Sequence, residues 1–440
     1  MSLSRYRSWG RYPNADHEVH RLRERIDGVA SLPKGKQWLP FGNGRSYGDS
    51  CLNDGGLLLD TRGLDRFIAF DHEAGILRCE AGVLLSEILD LIVPQGWFLP
   101  VTPGTQFVTV GGAIANDVHG KNHHRAGTFG CHVNCFELLR SDSSHRVCSA
   151  DTDPELYRAT IGGLGLTGLI EWAEIRLRPI QNAFISTETI RFEHLDTFWQ
   201  LAAESDREFE YTVAWIDCLS GGSGLGRGLM MRGNHSQTAA DRESDKAGQP
   251  LNIPFELPFS LVNRVTLRGF NTLYYRKQLN SRVESTTHFR PFFYPLDSVG
   301  NWNRVYGKRG FLQYQCVVPM GSASAAIGDM LTHIARSGQG SFLAVLKVFG
   351  DIRSPGMLSF PRPGATLALD FPFLGEKTLK LLDCLDAITI EAGGAVYPAK
   401  DARMSPPMFR QAFPAWRDFG QYIDPQFSSS FWRRVTGERT

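Results

Sequence analysis

No stretch of this 440-residue chain comes near the roughly 18 uncharged residues that a membrane-spanning helix requires. The opening residues, MSLSRYRSWG, carry charge with no apolar run behind them, so they do not read as a secretory signal. Excess charge is lacking too. The formal net charge is +1, which argues against a protein that binds nucleic acid through bulk electrostatics. The cysteines are Cys51, Cys79, Cys131, Cys135, Cys148, Cys218, Cys316 and Cys384, and no two form a C-x-x-C pair. Scattered thiols of this kind fit a reduced, cytoplasmic protein in which each is a small buried hydrophobe. Internal repeats and low-complexity tracts are missing as well.

What is present suggests two domains, since the chain is too long for one ordinary core. Hydrophobic content of 42% and charged content of 21% are those of a soluble globular protein. Residues 36–180 are rich in Gly and short β-like runs. Strands are expected over 36–41 and 56–60, a hairpin over 66–80, and a helix over 83–93, where apolar residues recur at 84, 85, 88, 89 and 92. Pro154 behind Asp153 predicts a short capped helix over 154–161, followed by a strand over 169–177. Residues 220–250 are polar and Gly-rich and read as a mobile loop. Residues 252–275 carry many aromatics among Arg264, Arg268 and Arg276. They read as a core helix, with a lipid-facing segment as the alternative.

Two patterns resemble sites and are set aside. Gly163 to Gly168 is a literal G-x-G-x-x-G, but a dinucleotide fingerprint needs a strand before it and a helix after it, and here the order is reversed. Asp117, His119, His123, His124, Cys131, His132 and Cys135 suggest a metal cluster. Gly120 breaks any helix that would align the first histidines, and no zinc spacing appears, so no metal is expected. Three Gly-rich turns remain, at 42–49, 103–105 and 109–113. Turns without Cβ bulk let backbone N–H groups approach an anion, which suits a long pyrophosphate-bearing cofactor. Tight turns between short strands would read the same way.

The runs GNGRSYGD at 42–49, TPGT at 102–105, TVGGAIA at 109–115, DVHGKNHH at 117–124 and GLGLTG at 163–168 resemble flavoenzymes of the vanillyl-alcohol-oxidase superfamily. Within it, WNRVYG at 302–307, FLQYQ at 311–315, VLKVFG at 345–350, LDFP at 369–372 and YPAKDAR at 397–403 are similar to the decaprenylphosphoryl-β-D-ribose oxidase family. The resemblance covers nearly the whole chain. It implies an α+β fold. A two-part FAD-binding domain, residues 1–182 and 395–440, would enclose an inserted substrate domain, residues 183–394, built of an antiparallel sheet and helices. FAD would be held by Gly42, Asn43, Gly44, Arg45, Ser46, Tyr47, Gly48, Asp49, Gly104, Thr105, Thr109, Gly111, Gly112, Asn116, His119, Ile170 and Tyr397. Many sugar oxidases of the superfamily have a flavin-bonding His where this chain has Arg45, so the FAD is expected to be noncovalent. Mycobacterial members carry a cysteine two residues before the Asp of LDFP, where this chain has Ala368.

The implied reaction oxidises the ribose 2-hydroxyl of a polyprenylphosphoryl-ribose, the first half of an epimerisation to the arabinose form. A separate NADH-dependent short-chain reductase would complete it. Such an enzyme is expected in the cytoplasm, on or near the inner membrane surface. Alcohol oxidation by a flavin needs an oriented substrate and a base for the hydroxyl proton. Candidate bases are Lys400, His119 and Tyr47. Candidate substrate contacts are Lys121 and Lys347 for the phosphate, Gln313 and Gln315 for sugar hydroxyls, and the aromatics Trp215 and Phe293. An aldonolactone or alditol oxidase acting on a soluble sugar is the alternative within the same fold.

Overall fold

The computed structural model describes residues 6–25, 29, 32–33, 35–237 and 251–437. Three sheets organise the fold. A small parallel sheet contains β1 (Glu18–Arg21), β2 (Trp38–Phe41) and β3 (Leu57–Asp60), in the order β1-β3-β2. An antiparallel five-stranded sheet follows, in the order β4 (Phe67–Asp71), β5 (Ile76–Glu80), β8 (Leu169–Arg176), β6 (Val133–Leu139), β7 (His145–Ser149). Helix α1 (Leu85–Ile92) presents Leu85, Ile88, Leu89 and Ile92 to this sheet's core, as the sequence spacing predicts.

The third sheet has eight strands, all antiparallel. They are β9 (Phe184–Phe192), β10 (Tyr211–Ile216), β11 (Gly228–His235), β12 (Arg282–His288), β13 (Phe311–Val318), β14 (Val345–Phe349), β15 (Gly364–Pro372) and β16 (Ala395–Val396), in the order β12-β9-β11-β10-β14-β15-β13-β16. Side chains alternate between its faces. Leu312, Tyr314 and Cys316 of β13, with Leu367 and Leu369 of β15, belong to the core that this sheet shares with the apolar sides of three helices: α4 (Leu195–Glu208), α6 (Met320–Ser337) and α7 (Glu376–Glu391). The intervening residues, among them Gln313, Gln315, Lys347 and Thr366, point the other way.

The chain's end closes on its beginning. Phe427 bridges Trp38 in parallel, and the final helix α8 (Ser430–Thr436) packs on residues 49–51.

Three expectations need correction. Residues 228–235 are not a loop: β11 lies inside the eight-stranded sheet. Its polar residues mask the strand pattern because they find partners within the fold, as Arg232 does with Glu188 and the Ser205 hydroxyl. Residues 238–250 of that stretch lie outside the described residues. Residues 252–275 are not a core helix either. Asn263 caps α5 (Arg264–Arg276) by accepting bonds from the N–H groups of Val265 and Thr266, and only Leu267, Asn271 and Tyr275 of that helix are buried. Phe255, Phe259, Leu261, Val265 and Leu273 are exposed. Finally, Asp153 does not cap the helix at Pro154–Thr160. It has φ +52°, and its carboxylate pairs with Arg146 instead.

Among the described residues no helix is long and apolar enough to cross a membrane.

Candidate active site

A cavity of about 930 Å³ opens between the Gly-rich turns and the polar face of the eight-stranded sheet. All the residues singled out from the sequence line it, apart from Gly48 and Asp49. Those two anchor the first turn. A Cβ on Gly48 would lie 1.6 Å from the Asp401 carbonyl oxygen, so no other residue allows the chains to approach this closely. Asp49 is buried against Arg434.

The turn side of the cavity is rich in unused donors. The backbone N–H groups of residues 43–46 have no hydrogen-bond partner among the described residues. The Arg45 Nε and the Ser50 hydroxyl are likewise buried without a partner. Buried polar groups are rarely left unsatisfied, so this wall is built to receive a polar ligand. Arg45 itself stacks 4.1 Å from the Trp9 ring and 5.5 Å from that of Phe107. Thr109 accepts a bond from the Gly112 N–H and starts the short helix Val110–Ala115, which sets Gly111, Gly112 and Asn116 along the cavity. Tyr397 donates to the Asn116 carbonyl at 2.8 Å and stacks on Phe360. A long ligand with an anionic middle fits this wall.

The opposite wall holds the titratable groups. His119 sits between Gln315, whose amide lies 2.9 Å from Nε2, and Lys347, whose Nζ lies 3.3 Å from Nδ1. A neutral imidazole has one acceptor nitrogen. The Gln315 amide nitrogen faces Nε2 and the Lys347 nitrogen faces Nδ1, so the ring's tautomer decides which of the two donates to it. Burial, reinforced by the Lys347 charge, pushes the His119 pKa well down and keeps the ring neutral. Lys347 also donates to the Gly120 carbonyl at 3.0 Å. Lys121 donates to the Phe293 carbonyl at 3.0 Å and faces the rings of Phe292 and Phe293.

Lys400 reaches the cavity because residues 397–400 form a turn, closed by the Lys400 N–H donating to the Tyr397 carbonyl. Its ammonium lies 3.8 Å from the centre of the Tyr47 ring. Burial lowers all three lysines: Lys121 and Lys400 to about 8, and Lys347, with Lys121 and Lys400 adding to the effect, to about 7. Among the described residues none of the three lies within ion-pair distance of a carboxylate. The lysine pairs recorded are those of Lys36 and Lys380, at the surface. Burial also pushes the Tyr47 phenol well up, with the Asp370 charge adding to it, so that it stays protonated. Trp215 lines the far end of the cavity, its indole N–H held by the Phe342 carbonyl at 2.9 Å.

Sequence reasoning missed several residues here. Trp9, Asp297, Asn301, Trp302 and Lys277 also line the cavity, and Asp370, opposite Gln313, accepts a bond from its amide. Asp370 and Trp302 had a visible signal, since they fall within the LDFP and WNRVYG runs.

Gly104 tests the fit. A Cβ built on it meets nothing within 4 Å, yet the residue lines the cavity. Gly104→Val is therefore expected to shift unfolding stability by no more than about 0.5 kcal/mol, as at an unconstrained surface, while displacing ligand. Thermal melts of the ligand-free protein, together with the flavin absorbance retained on purification, check both halves.

Comparison with known proteins agrees with this geometry. Residues 30–149 match the FAD binding domain family. Decaprenylphosphoryl-beta-D-ribose oxidase of Mycolicibacterium smegmatis is 37% identical over 417 residues, covering 91% of this chain and 89% of that protein. A Streptomyces coelicolor protein described only as uncharacterized, in the mprA 5' region, is 33% identical over 80% of this chain and all of its own length. D-arabinono-1,4-lactone oxidase of Kluyveromyces lactis is 24% identical over 43% of this chain and 35% of its own. A likeness that spans nearly all of this chain and of the mycobacterial enzyme makes this protein a member of the decaprenylphosphoryl-β-D-ribose oxidase family, an FAD-dependent oxidoreductase.

Proposed function

We propose that the chain oxidises the 2-hydroxyl of a ribose carried on a polyprenyl phosphate, as the first half of its conversion to the arabinose form. The observation that carries this reading is the convergence of Lys121, Lys347 and Lys400 in one cavity where, among the described residues, no carboxylate is in ion-pair contact with them. Buried cations without counter-charge are costly, and an anionic headgroup relieves that cost. A neutral soluble sugar, as an aldonolactone oxidase would take, leaves it in place. The name of the mycobacterial relative adds the substrate class.

FAD, when bound, supplies the acceptor for the substrate hydride. The division of labour proposed for the chain puts residues 1–182 and 395–440 around the cofactor and residues 183–394 against the substrate. Lys121 and Lys347 hold the phosphate, Gln313 and Gln315 orient the sugar hydroxyls, and Trp215 and Phe293 shape the pocket. Lys400, as the amine, takes the hydroxyl proton: the O–H bond breaks and an N–H bond forms as the C–H pair leaves and the carbonyl forms. A base with pKa near the working pH suits this step, and burial has moved Lys400 toward that range. His119 and Tyr47 position rather than exchange protons. The ketone formed needs a hydride donor to become arabinose, which calls for a second, NADH-dependent reductase of the short-chain type.

The proposed site of work is the cytoplasmic membrane surface. Phe255, Phe259, Leu261, Val265 and Leu273 stand exposed beside Arg264, Arg268, Arg276 and Lys277, a pairing of apolar and cationic groups suited to anionic lipid. Deleting residues 253–262 is expected to reduce flotation with anionic vesicles. Unchanged flotation would assign membrane contact elsewhere.

The cofactor is expected to dissociate. Arg45 stands at the position of the flavin-bonding His, and a guanidinium has no free lone pair for such a bond. Acid precipitation should leave the yellow colour in the supernatant, and colour in the pellet would contradict this.

Lys400→Ala is expected to keep FAD while slowing anaerobic single-turnover reduction by roughly 10²–10⁴-fold, the usual cost of a lost general base. Full occupancy with near-normal reduction would move the base elsewhere in the site.

A further inference from the structure

We propose that Trp215, Tyr274 and Phe270, with Phe342 beside them, line the path by which the substrate's polyprenyl chain leaves the cavity, so that the protein itself grips the isoprene units nearest the phosphate and passes the remainder to the lipid-facing side of α5. The proposal rests on the reading of the substrate as a polyprenylphosphoryl sugar.

The path starts where the phosphate is held. Lys347 and Val345 stand two residues apart on β14, so their side chains emerge on the same face of the sheet, about 7 Å apart. Both line the cavity. Val345 is paired across the sheet with Trp215 of β10, which lines the cavity too. A chain that leaves Lys347 along β14, away from His119, therefore meets Val345 and Trp215 next. The Trp215 indole N–H is already held by the Phe342 carbonyl at 2.9 Å, so this ring offers the cavity only its apolar surface.

From Trp215 the rings continue outward in contact. Tyr274 of α5 lies 4.7 Å from Trp215, Phe270 stacks on Tyr274 at 5.6 Å, and Phe342 lies 4.9 Å from Phe270 in a T-shaped contact. Phe270 and Tyr274 are four residues apart and share one side of the helix. All of these rings line the cavity, and their exposure grows along the row: Trp215 is 3% exposed, Tyr274 is half-buried and Phe270 is 40% exposed. Rings whose task was only to fill a core would be covered along the whole row. Here the row is open to the cavity and ends at solvent. Leu273 is exposed three residues beyond Phe270, and the exposed Lys277 holds its ammonium 3.7 Å from the centre of the Tyr274 ring. The row thus runs from the buried lysines into the apolar and cationic surface assigned above to lipid. An isoprenoid chain, apolar and with flat double bonds, matches such ring faces along its length.

The test compares ribosyl phosphates esterified with a methyl, a geranyl or a farnesyl group. The quantity read is the ester concentration that half-saturates the rate of anaerobic flavin reduction. It is expected to fall by about tenfold or more from the methyl to the farnesyl ester, as several apolar carbons leave water. Phe270→Asp is expected to erase most of that difference, and Phe270→Leu, which keeps an apolar wall, to preserve it. Repulsion of the phosphate by the new carboxylate would weaken all the esters alike and leave their ratio in place. A methyl-to-farnesyl ratio near one in the unmutated protein, or an unaltered ratio in the Asp variant, overturns the proposal.

Should the Asp variant fail to fold, photolabelling of the unmutated holoenzyme decides instead. A farnesyl ester with a diazirine at the far end of its chain should label peptides from α5 or around Phe342, and label confined to other segments overturns the proposal. Failure of every ester to bleach a flavin that a free sugar or lactone does bleach removes the substrate reading itself and the proposal with it, an outcome separate from the others.

Discussion

The Arg434 guanidinium ties together three segments far apart in sequence, and the site depends on that tie. It bonds both oxygens of Asp49 at 2.7 and 2.8 Å and one oxygen of Asp401 at 2.8 Å, and it also reaches the Met404 carbonyl. Both carboxylate side chains are 4% exposed. Charges taken this far out of water are tolerable only when nearly every donor and acceptor is matched, and here they are. The geometric result is that the first Gly turn lies against the 397–401 turn, with the Tyr47 N–H donating to the Ala399 carbonyl at 2.9 Å. Gly48 allows the contact because a Cβ there would overlap Asp401. Tyr47 therefore comes to lie under Lys400, and Tyr397 beside Asn116.

The eight-stranded sheet supplies the other half through simple alternation. One face spends its large apolar side chains on three helices, which makes the sheet rigid. The other face is left free to carry Gln313, Gln315, Thr366 and Lys347 toward the cavity. Because these residues stand on central strands and not on loops, their spacing is fixed by strand register. Gln313 opposite Asp370 is one case, and the diagonal bond from Gln315 to the Thr366 hydroxyl at 3.3 Å is another. A polar face inside a protein must be satisfied or filled. This one is partly satisfied by its own cross-strand bonds and partly left to the ligand.

How far the sequence reveals this depends on the range of each interaction. The Gly turns, the hairpin and helix α1 are local: their turn residues and apolar spacing are visible in a short window, and the structure has them close to where they are expected. The orientation of Lys400 is nearly local, since Pro398 and the turn after Tyr397 decide it. β11 was hidden because Arg232 and Asn234 break the apolar alternation, and their partners, Glu188 and the Glu208 carbonyl, are many residues away. The 252–275 stretch misled for the converse reason. Its aromatic content suggests a core, but much of that apolar surface faces outward. Asp370 meets Gln313 only through the register of two strands. Motif resemblance found the lining residues without geometry, and it also drew in Gly48 and Asp49, whose work is to hold the loop.

Among the three candidate bases, the hydrogen-bond inventory separates what resemblance alone left together. His119 has both ring nitrogens engaged, one by Lys347 and one by Gln315, and it is buried beside a cation, so neither lone pair nor charge state is free to change. Tyr47 would have to become a phenolate next to a carboxyl in a buried site, which both burial and Asp370 oppose. Lys347 is low enough in pKa to be neutral near pH 7, but its nitrogen is committed to the Gly120 carbonyl and the His119 ring. Lys400 differs from all of these. Its Nζ rests over an aromatic ring with no hydrogen-bond acceptor among the described residues. An amine held there keeps its lone pair available, and an ammonium there would meet the π face of Tyr47. The same placement therefore makes the neutral form reactive and the charged form stable, which is the requirement on a base that must work while a hydride departs.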